Sequence, residues 1–325
     1  MGTDLKFTDD RELVDLVSGE YLPVAAGSKL VSPERLDQML QYAQRSNQTF
    51  DEKNENYKDT LETRGHFFSV LVRKTEALWD GLSEPTIGKL IYLATYMDKN
   101  NCICFDGGWE KTQNVIVRNS KPMTKNDIKE LLGVSKPTFY QFWNECIENG
   151  AIIETENGIF IPRKMIRFCD NSNVNTSKVR MIKVFKHAVR YMYENTDERS
   201  KKSLTHLYRL IPFINLKYNI LCENPFEMER ENVVPLTAAD ICEKLGLDRK
   251  FHERVVKALK KLSFVDRQGN IRSVITYRWD RKNEEERYWI TINPQFYSGY
   301  IGEEEMMNMI DDFKFDENEL EMYDL

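Results

Sequence analysis

The sequence predicts a mainly α-helical fold with small β-hairpins, an α+β protein, and two observations lead to that prediction. The first is a pattern of two helices followed by a hairpin that occurs twice along the chain. The second is the composition, 41% hydrophobic and 30% charged residues, which is typical of globular domains and excludes wholesale disorder. A chain of 325 residues has room for about two or three compact domains.

The repeat aligns without a gap over its two helices and the turn between them. Each copy follows the same prelude, a helix and then a short apolar stretch, NNCICF in the first copy and KYNILC in the second. An ordered series of matches with a common prelude indicates an internal repeat. The matching pairs are Thr124 with Thr237, Asp127 with Asp240, Ile128 with Ile241, Leu132 with Leu245, Gly133 with Gly246, Val134 with Leu247, Ile152 with Val265 and Asn157 with Asn270.

Each copy carries the local signals of two helices joined by a tight turn. In the first copy Thr124 caps a short helix, and Asp127 favours the helix N-terminus. Gly133 supplies the left-handed conformation that ends this helix, and Ser135 caps a longer second helix. A turn at Asn157 then closes a hairpin. This order predicts a winged helix-turn-helix, which places its second helix in the major groove of DNA.

Both copies resemble the winged helix-turn-helix of a large superfamily that includes MarR-like repressors and plasmid replication initiators. The first copy, with IYLATYMDKNNCICF before it and NGIFIPRKMI at its end, is similar to the winged-helix domain of Firmicute plasmid initiators of the RepL type. Two such units in one chain also resemble iteron-binding plasmid initiators in architecture. The resemblance covers roughly residues 86–168 and 200–296, and it implies binding to double-stranded DNA.

The predicted organisation is therefore two tandem winged helix-turn-helix domains with an N-terminal extension and an acidic C-terminal tail. In the extension, residues 10–31 suggest a hairpin, and Ser32-Pro33 opens a helix. An apolar stripe also predicts a helix over 66–79. The predicted segments are 1–60 (extension and linker), 61–170 (first domain), 171–199 (basic linker helix), 200–300 (second domain) and 301–325 (tail).

The net charge of −6 is distributed unevenly. Residues 1–62 carry 13 acids and 7 bases, and residues 301–325 carry 10 acids and one base. Residues 63–300 hold the remaining 29 acids and 38 bases. The acidity therefore lies at the two ends, and the basic middle suits a nucleic-acid partner, because phosphates are neutralised by the local face of a protein.

The second copy is predicted to read DNA through the helix 248–262 and a cationic hairpin after it, which also includes Arg272 and Arg287. Residues at the start of such a helix reach base edges, and arginine with guanine is the commonest pairing. Cations further along suit phosphates or the minor groove. The alternative is a solvated charged helix face. The residues expected at the DNA are Arg249, Lys250, His252, Arg254, Lys257, Arg278, Arg281 and Lys282.

The first copy has a less basic and more aromatic second helix, 136–149. Its polar side chains can read bases or reach phosphates, and basic residues flank the helix and the hairpin. The alternative, favoured by the aromatic excess, is that this copy docks a protein or a second subunit. The residues expected at the DNA are Lys136, Thr138, Tyr140, Gln141 and Asn144 on the helix, with Lys125, Arg163 and Lys164 at its flanks.

Two further segments have charge patterns that suggest partners. Residues 163–209 carry 12 bases and 4 acids. A linker helix there would place Lys178, Arg180 and Lys183 along the DNA backbone, or else would form a dimer. The tail mixes its acids with large apolar residues, which is typical of a segment that orders on a partner protein. The alternatives are a tail that folds back to compete with DNA and a plain solubilising tail.

Enzyme motifs are incomplete in this sequence. Residues 81–90 are similar to a phosphate-binding loop, but six residues separate Gly81 from Gly88, and Leu90 stands where magnesium needs Ser or Thr. The four histidines are isolated, and the cysteines lack a C-x-x-C pair. We therefore expect neither an enzyme nor a metal or other cofactor. The absence of a long apolar run and of a signal peptide predicts a cytoplasmic protein without a membrane partner.

The expected function is that of a sequence-specific regulator of transcription, of phage or plasmid type, which binds double-stranded DNA with its two winged helices. It could act within one chain or as a homodimer on repeated half-sites. The alternatives are a plasmid or phage replication initiator, a scaffold that binds protein partners through the winged helices and residues 301–325, and a nuclease.

Overall fold

The structure is a computed structural model in which the chain divides into two compact units, residues 1–59 and 60–325. In the first unit, strands β1 (Leu5–Phe7), β2 (Leu13–Asp15) and β3 (Tyr21–Leu22) form an antiparallel sheet in that order, with β2 and β3 inside the stretch predicted as a hairpin. The helix predicted after Ser32 lies outside the described residues. The structure describes residues 5–7, 13–15, 21–22, 64–73, 79–105, 110–112, 115–117, 121–168, 179–197, 200–282, 285–298 and 309–313.

The described part of the second unit contains seven α-helices, which are 7 to 13 residues long. Proline at its first turn favours the start of α1, and Thr or Ser side chains cap α2, α3 and α6. The helices are α1 (Glu84–Ala94), α2 (Lys125–Leu132), α3 (Lys136–Glu148), α4 (Lys186–Asn195), α5 (Lys201–Arg209), α6 (Ala238–Lys244) and α7 (His252–Lys260).

Antiparallel sheets form a second major part of this architecture. One four-stranded antiparallel sheet has the order β15-β10-β4-β9, and the described residues add four two-stranded hairpins. The strands are β1 (Leu5–Phe7), β2 (Leu13–Asp15), β3 (Tyr21–Leu22), β4 (Phe67–Arg73), β5 (Glu110–Thr112), β6 (Val115–Val117), β7 (Ile153–Thr155), β8 (Gly158–Phe160), β9 (Ile166–Phe168), β10 (Val179–Phe185), β11 (Ser263–Val265), β12 (Ile271–Ser273), β13 (Ile275–Lys282), β14 (Glu285–Ile292) and β15 (Tyr297–Ser298).

The predicted fold class is wrong. The prediction was a mainly α protein of two tandem winged helix-turn-helix domains, whereas the described residues form seven helices and several antiparallel sheets, a mixed α+β structure. The two copies of the repeat also share one hydrophobic core. Ile128 and Phe139 of the first copy belong to the same buried cluster as Ile241 and Leu259 of the second.

The central sheet explains why the prediction failed. β4 and β10 pair antiparallel in register from Phe67 with Phe185 to Arg73 with Val179. The helix predicted over 66–79 is thus replaced by a strand from Phe67 to Arg73, and the predicted linker helix is replaced by a strand from Val179 to Phe185, after which α4 begins. Val and Phe occur in both segments, and these residues pack well on a sheet. Their spacing fits a helical stripe and a strand equally, so the period alone could not decide.

The sheet arranges the two copies around its centre. Each copy can be extended from its helix pair to the strands that flank it along the chain. β4 and β9 then belong to the first copy and β10 and β15 to the second, and the inner strands β4 and β10 pair with each other. Read from either edge, the sheet therefore shows the edge strand and then the inner strand of one copy, followed by the inner strand and the edge strand of the other. Because each copy supplies one inner and one edge strand, the internal repeat is built into the sheet itself.

Helices α1 and α5 pack against each other beside this sheet. A Cβ atom at Gly88 would lie 2.9 Å from the Thr205 hydroxyl oxygen, so glycine permits the close approach. Lys89 is 9% exposed, and its ammonium donates to the carbonyl of Pro85 over 3.1 Å. Gly88 and Lys89, from the stretch that is similar to a phosphate-binding loop, thus take part in the packing of α1.

Two buried asparagines at equivalent positions of the two copies hydrogen-bond to backbone groups that are distant in sequence. Asn101 and Asn219 have positive φ angles of 66° and 53° and are 2% and 0% exposed. The Asn101 amide donates to the carbonyls of Ile161 and Ile166 over 2.9 and 2.6 Å, and its oxygen accepts from the amide of Phe168. The Asn219 amide donates in the same way to two carbonyls, those of Ile292 and Tyr297.

We predict that Asn101→Ala lowers the free energy of unfolding by at least about 3 kcal/mol. The substitution leaves two carbonyls and one amide buried without a partner and puts alanine at a positive φ. Urea unfolding of the variant measures the loss. The matched control is Asn100→Ala, because Asn100 is exposed and should change stability by less than about 0.5 kcal/mol. Equal stabilities of the two variants would contradict the role of Asn101.

Candidate nucleic-acid interface

The first helix pair, α2 and α3, has the local geometry that its sequence predicts. Thr124 and Asp127 form a reciprocal capping box at the start of α2. Gly133 ends α2 in the left-handed region, with φ 61°. The Ser135 hydroxyl accepts from the amide of Thr138 and caps α3. The hydrogen bonds from Thr124 hold the pKa of the Asp127 carboxyl below its usual value.

The orientation of α3 is fixed by Glu145, which sequence reasoning did not single out. Its carboxylate accepts from the backbone amide of Ser83, from the Ser83 hydroxyl over 2.8 Å and from the Thr86 hydroxyl over 2.7 Å. These donors lie at the N-terminus of α1, so a side chain of one helix caps another. Since the two helices are far apart in sequence, the spacing of residues gives no signal for this contact.

The exposed face of α3 carries the five helix residues predicted at DNA. Lys136, Thr138, Tyr140, Gln141 and Asn144 are exposed, and Tyr140 is 44% exposed. The opposite face is buried in the core through Phe139, Phe142, Trp143 and Cys146. The exposed face thus offers amide, hydroxyl and ammonium groups of the kinds that hydrogen-bond to bases and phosphates.

Two of the three predicted flanking cations contact other groups of the protein. The Lys125 ammonium lies 4.6 Å from the centre of the Trp143 ring and 5.3 Å from that of Tyr140. Arg163 is exposed and donates to the carbonyl of Lys99 over 3.0 Å. Lys164 is exposed. Lys125 is therefore held beside the start of the exposed face, where its charge is close to Tyr140.

The second helix pair, α6 and α7, repeats this geometry with one difference. Thr237 and Asp240 form the same capping box, and Gly246 has a φ of 70°. Asp248 accepts from the amide of Lys250, and the residues that follow form one turn of 3-10 helix, Arg249–Phe251, before α7 begins. The predicted single helix over 248–262 is thus two segments.

The cations at this turn are exposed and already paired. The Arg249 guanidinium is 59% exposed and contacts the Asp240 and Glu243 carboxylates of α6, each over 3.0 Å. The Lys250 ammonium is 68% exposed and lies 3.0 Å from the carboxylate of Asp248. Exposed ion pairs contribute about 0–1 kcal/mol, so a phosphate or a base edge can replace these carboxylates at little cost.

The remaining residues predicted to contact DNA from α7 differ in how far they are exposed. The Nδ1 atom of His252 lies 2.9 Å from the carbonyl of Arg249, and its ring is half-buried. Arg254 is exposed, and Lys257 is half-buried. Val255 and Leu259 form the buried face of the helix. The exposed surface of this pair is thus more cationic than that of the first.

The cationic wing predicted after α7 is divided into two hairpins. β11 and β12 form a short one, and β13 and β14 form a long one of eight residues in each strand. Arg278, Arg281 and Lys282 lie on β13 and Arg287 on β14, and the placement of their side chains is outside the description.

Arg272, on β12, has a structural role. Its guanidinium contacts the Asp266 carboxylate over 2.9 Å, and the two side chains are 12% and 2% exposed. Burial alone would raise the pKa of Asp266, but hydrogen bonds from Arg272 and Asn270 outweigh it and lower the pKa. Asp266 also accepts from the amides of Gln268 and Asn270 and so shapes the β11–β12 turn.

The cations predicted on the linker helix are not on a helix. Arg180 and Lys183 lie on β10, an inner strand of the four-stranded sheet, and Lys178 lies outside the described residues. The Lys183 ammonium is 5.1 Å from the centre of the Phe67 ring. Because β10 is paired on both edges, these residues do not form the outer face of a basic helix that could follow the DNA backbone.

One part of the acidic tail is described. Residues 309–313 include one turn of 3-10 helix, Asp311–Phe313, and pack near β13. Phe313 is 0% and Ile310 8% exposed. The Ile310 carbonyl lies 3.5 Å from the Arg272 guanidinium, which donates to it. This segment of the tail is thus held by the protein's own second copy, whereas the rest of 301–325 lies outside the description.

Other site chemistries have little support among the described residues. In that part of the chain, no three His, Cys, Asp or Glu side chains come together as a metal site would require. The described cysteines, Cys102, Cys104, Cys146, Cys222 and Cys242, are free and buried. None of the described helices is long and apolar enough to cross a bilayer.

Comparisons of the chain with family models, curated proteins and solved structures give no match. The resemblance to winged-helix repressors and initiators therefore stays a prediction, and the assignment of a function depends on the chemistry of the surfaces described above.

We predict that Glu145→Gln lowers the free energy of unfolding by about 0.5–2 kcal/mol at neutral pH, the usual range for a helix cap. Burial alone would raise the pKa of Glu145, but the hydrogen bonds from Ser83 and Thr86 and the charge of Lys89 lower it. A carboxylate with a depressed pKa stabilises the folded state above its unfolded pKa, and that stabilisation is lost as the pH falls through the folded pKa.

The difference between Glu145→Gln and the wild type should therefore shrink as urea unfolding is repeated at pH values from 7 down to about 3. Glu148→Gln is the control, since Glu148 is an exposed glutamate on the same helix. A difference that stays constant with pH would show that the charge of Glu145 does not act as a cap.

Proposed function

We propose that this protein is a sequence-specific regulator of transcription that binds double-stranded DNA with its two helix pairs. The observation that carries the proposal is that the second segment of each pair turns a polar or cationic face to solvent, while its apolar face is buried. Gln141 and Asn144 on α3 are hydrogen-bonding groups suited to base edges, and Arg249 and Lys250 before α7 suit guanine and phosphate.

The shared core supports action as one unit. Because both pairs are built on one four-stranded sheet and one hydrophobic cluster, their exposed faces keep a constant separation. A constant separation favours a site of two short elements at a defined spacing, as DNA readers with two recognition helices require. The basic middle of the chain adds the electrostatic attraction that all such binding uses.

The salt dependence of DNA binding tests the proposal. For about four phosphate contacts, the affinity of the full chain for a mixed-sequence duplex should fall at least about 100-fold between 50 and 200 mM salt. Gel shift or fluorescence anisotropy measures this slope. A flat dependence, or no binding at the lower salt concentration, would overturn the proposal.

The double variant Arg249→Gln, Lys250→Gln tests the second helix pair. It removes two cations, so it should weaken binding and reduce the slope of log affinity against log salt by up to about 2. Glutamine is preferred to glutamate here because Asp240 and Glu243 lie 3.0 Å from Arg249 and would repel a new carboxylate. The control is Lys202→Gln on α5, where Lys202 is 61% exposed. If both variants bind like the wild type, the second pair is not the reader.

A further inference from the structure

A cavity of about 310 Å³ lies against α2 in the first copy of the repeat. Its volume is at the lower end of the range for ligand pockets. Aromatic and apolar side chains form most of the wall, and two carboxylates of α2 complete it. The lining residues are Tyr96, Phe105, Met123, Asp127, Glu130 and Leu131. Two carboxylates alone do not identify a ligand. The groups found at the equivalent position of the second copy indicate which kind of ligand the cavity could bind.

The backbone hydrogen bonds give the correspondence between the copies. The amide of Cys104 donates to the carbonyl of Tyr96 over 2.9 Å, and the amide of Cys222 donates to that of Phe213 over 2.8 Å. Tyr96 therefore corresponds to Phe213. The alignment of the two helix pairs puts Leu131 opposite Lys244, one residue before the matched leucines.

In the second copy a lysine occupies the corresponding space. The Lys244 ammonium lies 5.2 Å from the centre of the Phe213 ring and 2.7 Å from the carboxylate of Glu223. The first copy has leucine at this position and the cavity beside it. An ammonium over an aromatic ring and next to a carboxylate is thus a contact that this fold already makes once.

The carboxylates of the cavity also have cation-binding counterparts. The Oδ2 atom of Asp240 accepts from the amide and the hydroxyl of Thr237, and its Oδ1 atom accepts from the guanidinium of Arg249, which Glu243 contacts as well. In Asp127, the counterpart of Asp240, Oδ2 likewise accepts from the amide and the hydroxyl of Thr124. Among the described residues, its Oδ1 has no donor.

We infer that this cavity is a receptor for an arginine side chain of a partner polypeptide. A guanidinium can lie against the rings of Tyr96 and Phe105 while it donates to Asp127 and Glu130, because its planar fork suits both contacts. Both halves of that chemistry occur in the second copy, with Phe213 and Lys244 and with Asp240, Glu243 and Arg249.

The weak binding expected of a single cation also indicates that the arginine belongs to a larger partner protein. One cation at a half-open site of this kind binds only in the millimolar range, so the site acts as one anchor in a larger contact. Phe105 is 41% exposed at the cavity and provides apolar surface next to it. Arginine and aromatic residues are enriched at the centres of protein interfaces. This inference is independent of DNA binding by the second helix pair.

The test uses N-acetyl-arginine amide as the probe and the full chain with ¹³C-methyl methionine. Met123 lines the cavity, and its methyl resonance can be assigned with Met123→Leu. At constant ionic strength, the probe should shift this resonance saturably with a dissociation constant in the millimolar range. The neutral isostere, N-acetyl-citrulline amide, should leave it unchanged.

Two variants make the result specific. Glu130→Gln removes one carboxylate and should weaken binding by about two- to fivefold. Leu131→Lys places a lysine where the second copy has Lys244 and should abolish the shift, since its own ammonium fills the space. Thermal unfolding checks that both variants are folded, and the precedent of Lys244 favours folding of the second.

The outcomes separate the alternatives. Equal shifts with the arginine and citrulline probes, or undiminished binding in Leu131→Lys, would overturn the inference. If the wild type self-associates while the Leu131→Lys variant is monomeric, the partner is a second copy of this chain and the inference of a different partner polypeptide is overturned. Neither result depends on DNA, so the DNA-binding proposal can fail while this one holds.

Discussion

The antiparallel pairing of β4 with β10 is the contact on which the rest of the second unit depends. It joins the two copies of the repeat in register from Phe67–Phe185 to Arg73–Val179. On the outer sides of this pair, β4 binds the edge strand β9 and β10 binds the edge strand β15. The helices then pack on a common hydrophobic cluster. β4 and β10 pair with each other over seven residues, whereas β9 and β15 cover only three and two residues of their outer edges. Most of the backbone hydrogen bonds of these two strands therefore join one copy to the other.

On this shared framework the two copies have diverged in charge while they keep the same backbone devices. Both have a Thr-Asp capping box, a left-handed glycine and a buried asparagine at positive φ. The second copy contains Arg249 and Lys244, and its own carboxylates pair with both. The first copy has leucine in place of Lys244 and a cavity beside its carboxylates. The two copies therefore share their caps and turns but differ in the charged groups beside α2 and α6.

Much of the local structure of the candidate interface could be predicted from the sequence. The caps at Thr124 and Thr237, the turns at Gly133 and Gly246 and the buried face of α3 depend on residues a few positions apart. Helix caps and glycine turns are local interactions, so the pattern of residues specifies them directly. The repeat was visible for the same reason. The preludes NNCICF and KYNILC also contain the matching asparagines Asn101 and Asn219. The hydrogen bonds that these side chains donate to carbonyls distant in sequence could not be predicted.

The sequence by itself thus determined the two helix pairs, their turns and the side chains that face solvent on α3. Only the tertiary structure decided that residues 67–73 and 179–185 are strands, because their apolar spacing fits either period and the pairing partner is distant along the chain. It also decided that Arg272 holds Asp266, that Glu145 caps α1 and that Arg249 lies against two acids. These contacts join segments that only the packed core brings together, so the spacing of residues carries no record of them.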